Sequence, residues 1–351
     1  MSNDISKIDS NFKVSPGGSN LNWFDACDLH VSGKGWEQDQ KHFRRLPEKA
    51  KDLVTPEVWR LSTYSSGLSV YFETNSKSLS IHWKLKAMLK MGAMTSTGAN
   101  GFDLYLLAKD KWRFVTSCSA MELENNIEVM AFLDDSPKKY CLNLPLFSEP
   151  EYIRIGVDEG SKIKKIIPFT VKPIMFYGTS IVHGSAASRP GMIYPSQICR
   201  ALSRPLMNLA FSGNAKMEIE IAHLLGEQDP ALYVIDPLPN MDAEMVKERA
   251  YLFLKYLLEK KKGIPVLMIS CIPYTRYGYV RSSTQRLDGV NPQFKLIFEK
   301  LKAEGYHNLY YYNADEILGD DYEGTIDGTH PNDLGFYRIA QNLIPVIKEI
   351  I

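Results

Sequence analysis

The sequence lacks a hydrophobic run long enough to cross a membrane, and it lacks an excess of charge of either sign. No stretch of about 18 consecutive apolar residues occurs in the 351-residue chain. Lys plus Arg and Asp plus Glu both number 41, so no net charge draws the chain to nucleic acid or to an anionic membrane. We therefore expect no membrane span and no nucleic-acid partner.

The spacing patterns of disulfide frameworks and metal sites are also missing. The five cysteines are an odd number without a CxxC pair, which favours free thiols. The seven histidines show no HExxH pattern, so we predict no metal and no other cofactor. Segment 1–13 has no apolar core and shows no signal peptide, although a trimmed leader would leave the same sequence. The compartment therefore stays open: periplasmic or secreted in that case, cytoplasmic otherwise.

Two different sequence patterns divide the chain near residue 170. Between residues 14 and 170, short alternating segments separated by turn residues predict an antiparallel β-sandwich. Within it, segments 68–74 and 79–85 are interpreted as paired strands around a turn at 75–78. Between residues 171 and 351, apolar runs alternate with helical patterns, which predicts an α/β domain whose parallel sheet is covered on both sides.

The elements of the second domain can be placed from these patterns. Strands are predicted at 174–178, 208–211, 232–238, 265–272 and 309–313. Helices are predicted at 194–202, 216–225, 242–261, 292–304 and 333–351. Pro345 lies within the last helix and predicts a kink or an early end there.

The most informative motif, Asp327-Gly328-Thr329-His330, lies near the C-terminus and pairs with a serine far upstream. Ser180 follows the apolar run 174–178, which places it at the end of a buried strand. A serine is a poor nucleophile until an imidazole takes its proton, and the imidazole needs a carboxylate to fix its tautomer. Ser180, His330 and Asp327 are thus candidates for nucleophile, general base and orienting acid.

Two further residues follow predicted strands and supply hydrogen-bond donors. Gly213 follows the strand at 208–211, and a glycine lets its backbone N–H approach a ligand closely. Asn240 follows the strand at 232–238, and its amide supplies a second donor. Open α/β sheets place their chemistry at the carboxyl ends of strands, so we expect both residues at an oxyanion site.

The ordered set Ser180, Gly213, Asn240 and Asp327 with His330 resembles the four blocks of the SGNH (GDSL-type) hydrolases. This resemblance covers about residues 172–351 and implies a flavodoxin-like parallel sheet. It also implies an oxyanion hole formed by the N–H groups of Ser180 and Gly213 and the side chain of Asn240. The sequence departs from the family pattern at Thr179, where an aspartate is usual. The third block also departs, reading Pro-Asn-Met-Asp instead of Gly-x-Asn-Asp.

The upstream half resembles the small domain that precedes the hydrolase in a largely Bacteroidetes subset of this family. The resemblance rests on Gly101-Phe102-Asp103-Leu104-Tyr105 followed by Trp112. It implies a jelly-roll-like β-sandwich from residue 14 to 170 that belongs with the hydrolase domain at 171–351.

The sequence indicates an ester substrate but leaves its identity open. The resemblance favours a serine carboxylic-ester hydrolase that removes O-acetyl groups from carbohydrates, acting on a small-molecule or polysaccharide ester. A lipid or aryl esterase with the same triad is one alternative, and an inactive glycan-binding protein is another. The aromatic and basic loop 274–281 is interpreted either as a wall of the substrate pocket or as a solvated insertion. His183 and Asp242 have no assigned role, and either could touch the substrate. The oligomeric state is open as well.

Overall fold

The computed structural model describes residues 9, 14–18, 20–36 and 42–351. Apart from residue 9, the segment without a predicted signal peptide lies outside the described residues. The described chain forms a β-rich part followed by an α/β part, as the sequence predicts.

The β-rich part consists of two antiparallel sheets that pack face to face. Its strands are β1 (Ser15–Pro16), β2 (Leu21–Asp25), β3 (His30–Ser32), β4 (Ser69–Thr74), β5 (Leu79–Leu85), β6 (Phe102–Ala108), β7 (Lys111–Cys118), β8 (Glu124–Met130), β9 (Lys138–Asn143), β10 (Pro150–Asp158) and β11 (Ile163–Lys165). One sheet has the order β1-β8-β5-β10-β2, and the other has β11-β4-β9-β6-β7 with β3 paired to β4. Their alternating apolar residues, including the fully buried Trp83, form one core between the sheets. Two short helices, α1 (Pro56–Ser62) and α2 (Ser96–Asn100), connect strands.

The predicted pairing of segments 68–74 and 79–85 is wrong, because β4 and β5 lie in different sheets. The connection between them crosses the sandwich instead of forming a tight turn. Asp158, the last residue of β10, holds this crossing: its carboxylate accepts hydrogen bonds from the Lys77 N–H at 2.8 Å and from the N–H and hydroxyl of Ser78 at 2.9 and 2.6 Å. Such long-range contacts, and not the local turn residues, decide which strands pair.

The α/β part contains a parallel five-stranded sheet with helices on both faces. Its strands are β12 (Ile174–Gly178), β13 (Leu206–Ala210), β14 (Leu232–Asp236), β15 (Val266–Ile269) and β16 (Leu309–Tyr312). Its helices are α3 (Ser180–His183), α4 (Tyr194–Ala201), α5 (Ile219–Leu225), α6 (Ala243–Met245), α7 (Tyr251–Lys260), α8 (Arg281–Ala303) and α9 (Asp333–Ile350). The strand order β13-β12-β14-β15-β16 is the 2-1-3-4-5 order of flavodoxin-like sheets.

The start of one helix differs from the sequence-based prediction, and the early end considered for another helix does not occur; packing explains both. Helix α8 begins at Arg281 instead of residue 292 and continues through Pro292, because its buried stripe runs without interruption from Leu287 to Leu301. Helix α9 runs through Pro345 to Ile350, so the predicted early end is wrong. In both helices the buried apolar face outweighs the hydrogen bond that proline removes.

The two parts share hydrophobic cores as well as a chain connection. Leu46 and Leu61 lie between β3 and β4. Both pack in one cluster with Tyr177 and Leu209 of the parallel sheet. On the other face of that sheet, Phe147 belongs to the cluster formed with α3, α4 and α9. The division at residue 170 remains a prediction, but the packing across it is continuous.

Arg45 adds a buried polar contact between the two parts. Its guanidinium is almost fully buried and donates to the carbonyl oxygens of Asn208 at 2.9 Å, Ala210 at 2.8 Å and Leu61 at 2.7 Å. Burial lowers the pKa of Arg45 to about 9, which is still above neutrality, so the group stays charged. Breaking this contact would leave a cation and several carbonyls without partners.

We expect a chain that begins at Val171 to be insoluble or inactive, because it exposes the core surface normally covered by Leu46, Leu61 and Phe147. A chain that begins at Val14 keeps these contacts and serves as the control. The soluble fraction and the turnover of a small ester are the measurements. A soluble Val171 chain with the activity of the control would show that the two parts are independent.

Candidate active site

Ser180 lies directly after β12, at the carboxyl edge of the parallel sheet, and begins the single-turn helix α3. Thr179 caps this turn, since its side-chain oxygen accepts a hydrogen bond from the Ile181 N–H at 3.3 Å. The threonine that departs from the usual family pattern therefore serves as a helix cap. Ser180 is only partly buried, so its hydroxyl is open to a substrate.

The structure brings Ser180, His330 and Asp327 together in a continuous hydrogen-bonded chain. Ser180 Oγ lies 2.9 Å from His330 Nε2, and His330 Nδ1 lies 2.7 Å from Asp327 Oδ2. An ionised carboxylate can only accept hydrogen bonds, so Nδ1 carries the imidazole proton. The lone pair on Nε2 is then available to accept from the Ser180 hydroxyl.

Asp327 is fixed by the backbone of its own loop. Its Oδ1 accepts hydrogen bonds from the N–H groups of Thr329 at 3.0 Å and His330 at 2.8 Å. Burial acts to raise the pKa of Asp327, but these donors and the His330 ring outweigh it and hold the pKa below its ordinary value. The carboxylate therefore stays ionised while one oxygen orients the imidazole.

Gly213 and Asn240 lie in neighbouring loops after β13 and β14. Gly213 has φ +72°, a left-handed conformation, and no heavy atom lies within 4 Å of the position that a Cβ would take. Asn240 ends the short 3-10 turn Leu238–Asn240. With its amide oxygen facing the adjacent loop, it accepts from the N–H groups of Asn214 and Ala215, both at 3.1 Å.

The opposite orientation of the Asn240 amide gives only a 3.4 Å contact from Nδ2 to the Phe211 carbonyl. We therefore assign the orientation in which the amide oxygen accepts from the Asn214 and Ala215 N–H groups. That orientation turns the amide NH₂ away from the Asn214 and Ala215 N–H groups. Among the described residues, no hydrogen bond joins Gly213 or Asn240 directly to Ser180. Their part in an oxyanion hole thus remains a prediction.

Two family profiles match the chain. Residues 171–348 match the profile of the GDSL-like lipase/acylhydrolase family. The chain belongs to this family. Residues 21–163 match the GxDLY profile, described as the N-terminus of the SGNH-hydrolase type of esterase. Membership makes the chain a hydrolase with an esterase fold, whereas none of the curated proteins matches it.

The likeness to solved structures extends over most of the chain. A protein described as a GDSL-like lipase from Bacteroides ovatus shares 31% identity at a TM-score of 0.91, covering 94% of this chain and 98% of that one. The salicylyl-acyltransferase SsfX3 from a tetracycline biosynthetic pathway shares the fold at 16% identity and a TM-score of 0.79, covering 95% and 98%. An acetyl xylan esterase from the rumen bacterium Butyrivibrio proteoclasticus shares it at 11% identity and a TM-score of 0.57, covering 94% and 98%.

His183 and Asp242, the two unassigned residues of this GDSL-like hydrolase, have structural positions. His183 is fully buried, its Nε2 donates to the Leu146 carbonyl at 2.8 Å, and its ring stacks on Phe147 with centroids 4.2 Å apart. Burial lowers the pKa of His183 well below its ordinary value, so the ring is neutral. The expectation that His183 could touch substrate is wrong. Asp242 caps α6 by accepting from the Met245 N–H at 2.9 Å.

Asp236 is an unusual carboxyl group that the sequence analysis missed. It ends β14, is almost fully buried, and accepts a hydrogen bond from the Tyr194 hydroxyl at 2.9 Å. Its Oδ1 has no partner among the described residues. Burial raises its pKa to about 7, although the Tyr194 bond acts in the opposite direction. The available signal was an acidic residue at the end of an otherwise apolar run.

Over the described ranges, the structure contains no group of three or more His, Cys, Asp or Glu side chains arranged to hold a metal ion. The same part of the chain has no helix that is both long and apolar enough to span a membrane.

The raised pKa of Asp236 predicts a pH-dependent stability. The folded protein holds the Asp236 proton more tightly than the unfolded chain does. The stabilisation of the folded state that results is present in full below the ordinary pKa of aspartate. It is lost as the pH rises toward the folded pKa of about 7. Between about pH 4 and pH 7, wild type should lose on the order of 4 kcal/mol of unfolding free energy relative to Asp236→Asn.

Urea unfolding at a series of pH values measures this difference. In Tyr194→Phe the decline should extend to higher pH, because that substitution removes the hydrogen bond that favours the charged form. Parallel stability curves for wild type and Asp236→Asn would contradict the assignment.

Proposed function

We propose that this protein is a serine esterase that acts through an acyl-serine intermediate, with Ser180, His330 and Asp327 as its catalytic triad. The observation that carries the proposal is the hydrogen-bonded chain of 2.9 and 2.7 Å that ends on a partly exposed hydroxyl. In this geometry Ser180 Oγ attacks the ester carbonyl carbon while its proton moves to His330 Nε2. Asp327 stabilises the imidazolium that forms.

His330 acts first as base and then as acid, and it repeats this order when water attacks. When the tetrahedral intermediate collapses, the C–O bond to the alcohol breaks and His330 gives its proton to the leaving oxygen. A water molecule then attacks the acyl-serine and loses a proton to His330. As the second tetrahedral intermediate collapses, the bond from the acyl carbon to Ser180 Oγ breaks, His330 returns the proton to Oγ, and the acid is released. No metal or redox partner is required for any of these steps.

The negative charge that develops on the carbonyl oxygen needs donors, and three are proposed: the N–H groups of Ser180 and Gly213 and the amide NH₂ of Asn240. The space next to Gly213 and the anchoring of the Asn240 oxygen on the Asn214 and Ala215 N–H groups support this assignment. A donor that is already oriented costs no reorganisation when charge develops.

For the substrate we propose an O-acetyl ester on a carbohydrate. A cleft of about 1090 Å³ is lined by the loop 274–281 and by the segment that precedes the catalytic acid. The Thr275 N–H donates to the Gly328 carbonyl at 3.1 Å, so this loop contacts the acid loop directly. Tyr279 and Tyr322 in the cleft are 89% and 71% exposed. Exposed aromatic rings in the same cleft as carboxylates such as Asp315 suit the faces and hydroxyls of sugars. The acetyl xylan esterase that shares the fold favours the same substrate class.

Acyl transfer to an acceptor other than water is a second candidate, favoured by the shared fold of the salicylyl-acyltransferase. It uses the same acyl-serine and differs only in the attacking alcohol. A lipid or aryl esterase would also use this triad, and acyl-chain selectivity on small esters separates it from an acetylesterase. The complete triad speaks against an inactive glycan-binding protein.

We expect Ser180→Ala to lower turnover of a small acetyl ester by at least about a thousandfold while the protein stays folded, because no other group can form the acyl intermediate. Ser282→Ala, which changes an exposed serine at the start of α8, is the matched control and should keep full activity. Initial rates and circular dichroism measure both effects. A folded Ser180→Ala variant with substantial activity would end the proposed mechanism.

The carbohydrate proposal predicts a selective effect at Tyr279. Tyr279→Ala should raise the KM for an acetylated oligosaccharide several-fold without changing the rate on a small acetyl ester. Tyr279→Phe should retain most of the oligosaccharide activity, because the ring face is kept. Acetate release is the measurement, with butyryl and longer esters compared in parallel. Equal effects of Tyr279→Ala on both substrates, or a preference for long acyl chains, would contradict the proposal.

A further inference from the structure

Arg189 connects the loop after α3 to the sandwich. Its Nη1 donates to Asp103 Oδ2 and to the Tyr105 hydroxyl, both at 2.7 Å. Asp103 is completely buried, and its other oxygen accepts from Asn143 Nδ2 at 2.7 Å. Asp103 and Tyr105 are the acidic and aromatic residues of the Gly-x-Asp-Leu-Tyr motif. The side chains of Asp103 and Tyr105 thus both bind Arg189 of the hydrolase domain.

The contact also includes the backbone of this loop. The Gly191 N–H donates to Asp103 Oδ2 at 2.8 Å. A Cβ at Gly191 would lie 2.6 Å from the Tyr105 hydroxyl and 2.8 Å from Asp103 Oδ2. Only a glycine lets the loop approach the motif this closely, so the position of the loop is set to within a small tolerance.

The same loop reaches the segment that carries His330. The Ser188 N–H donates to Asp333 Oδ1 at 3.0 Å, and the Ser188 hydroxyl donates to Asp333 Oδ2 at 2.5 Å. Asp333 is the first residue of α9, three residues after His330. The Thr95 hydroxyl of the sandwich donates to the Ser188 carbonyl at 2.6 Å, so Ser188 is held from both sides.

We propose that Asp103 is a positioning residue for His330, acting through Arg189, Ser188 and Asp333. This inference rests on the proposed function, in which His330 is the general base. His330 lies in an irregular segment between β16 and α9. Backbone hydrogen bonds from the Ile326 N–H to the His330 carbonyl at 2.9 Å and from the Asn332 N–H to the Gly324 carbonyl at 3.1 Å close this segment on itself, so its placement against Ser180 depends on contacts outside it. Proton transfer requires the imidazole within hydrogen-bond reach of Ser180, and a displacement of about 1 Å costs on the order of a hundredfold in rate.

The test separates positioning from general stabilisation. Arg189→Met removes the donors to Asp103 and Tyr105, and we expect kcat on a small acetyl ester to fall about tenfold or more with KM unchanged. Arg189→Lys keeps a charged donor and should recover part of the loss. Lys49→Met is the matched control: it removes another ion pair between the two parts, Lys49 to Glu227 at 2.7 Å, which has no link to Ser188. The control should keep the wild-type kcat.

A double-mutant cycle tests the route itself. If Arg189 and Asp333 act on one path, Arg189→Met combined with Asp333→Ala should lose about as much kcat as the worse single variant. Losses that multiply, or an unchanged kcat in folded Arg189→Met, would overturn the inference. If Arg189→Met does not fold, Ser188→Ala removes the hydroxyl bond of the next link, and Asp333→Ala removes both of its bonds; both variants must show a kcat-specific loss. If turnover requires Ser180 but is unaffected by changes at Arg189, Ser188 and Asp333, the positioning inference is wrong and the proposed function stands. If turnover does not require Ser180, the proposed function itself is wrong.

Discussion

The 2.9 Å contact between Ser180 Oγ and His330 Nε2 joins residues that are 150 positions apart, and the proposed chemistry depends on it. Ser180 is well placed by local structure, because it follows a central strand of the parallel sheet that is buried along its length. His330 follows no such strand: it precedes α9 in an irregular segment that is closed by a hydrogen bond from the Ile326 N–H to the His330 carbonyl at 2.9 Å. Its position depends on Asp327 within the loop, and we infer that it depends on the Ser188–Asp333 contact outside the loop.

The sandwich contributes polar contacts to three segments around the site. Arg45 binds the Ala210 carbonyl at the end of β13, the Ser66 hydroxyl donates to the His183 carbonyl in α3, and Asp103 binds Arg189. An unpaired buried polar group costs about 1–3 kcal/mol, so each contact favours the assembled arrangement of the two parts. This explains in physical terms why the sandwich and the hydrolase domain occur together in one chain.

The sequence was sufficient to predict the features set by local pattern. The parallel sheet follows from apolar runs alternating with helical periods, and the proximity of Asp327 and His330 follows from a spacing of three residues. Features set by distant contacts were not predictable. The crossing from β4 to β5 depends on Asp158, the extension of α8 through Pro292 depends on its buried face, and the Asp103–Arg189 pair joins residues far apart in sequence.

The burial of two polar residues was also not predicted from the sequence, because histidine and aspartate occur both in cores and on surfaces. A histidine three positions after the candidate nucleophile looked available to substrate, yet His183 is packed against Phe147 in the core. Conversely, Asp236 was not singled out within the predicted strand 232–238, and its burial is what distinguishes it. Both cases depend on solvent exposure, which a single sequence does not encode locally.

The most direct test of the account is the crystal structure of the protein after reaction with an acetyl-ester-mimicking phosphonate. The account predicts a covalent bond from Ser180 Oγ to phosphorus. It also predicts a phosphoryl oxygen within about 2.7–3.1 Å of the Gly213 N–H and the Asn240 NH₂, with His330 still bonded to Asp327. An adduct on another residue, or a phosphoryl oxygen directed away from both donors, would contradict it.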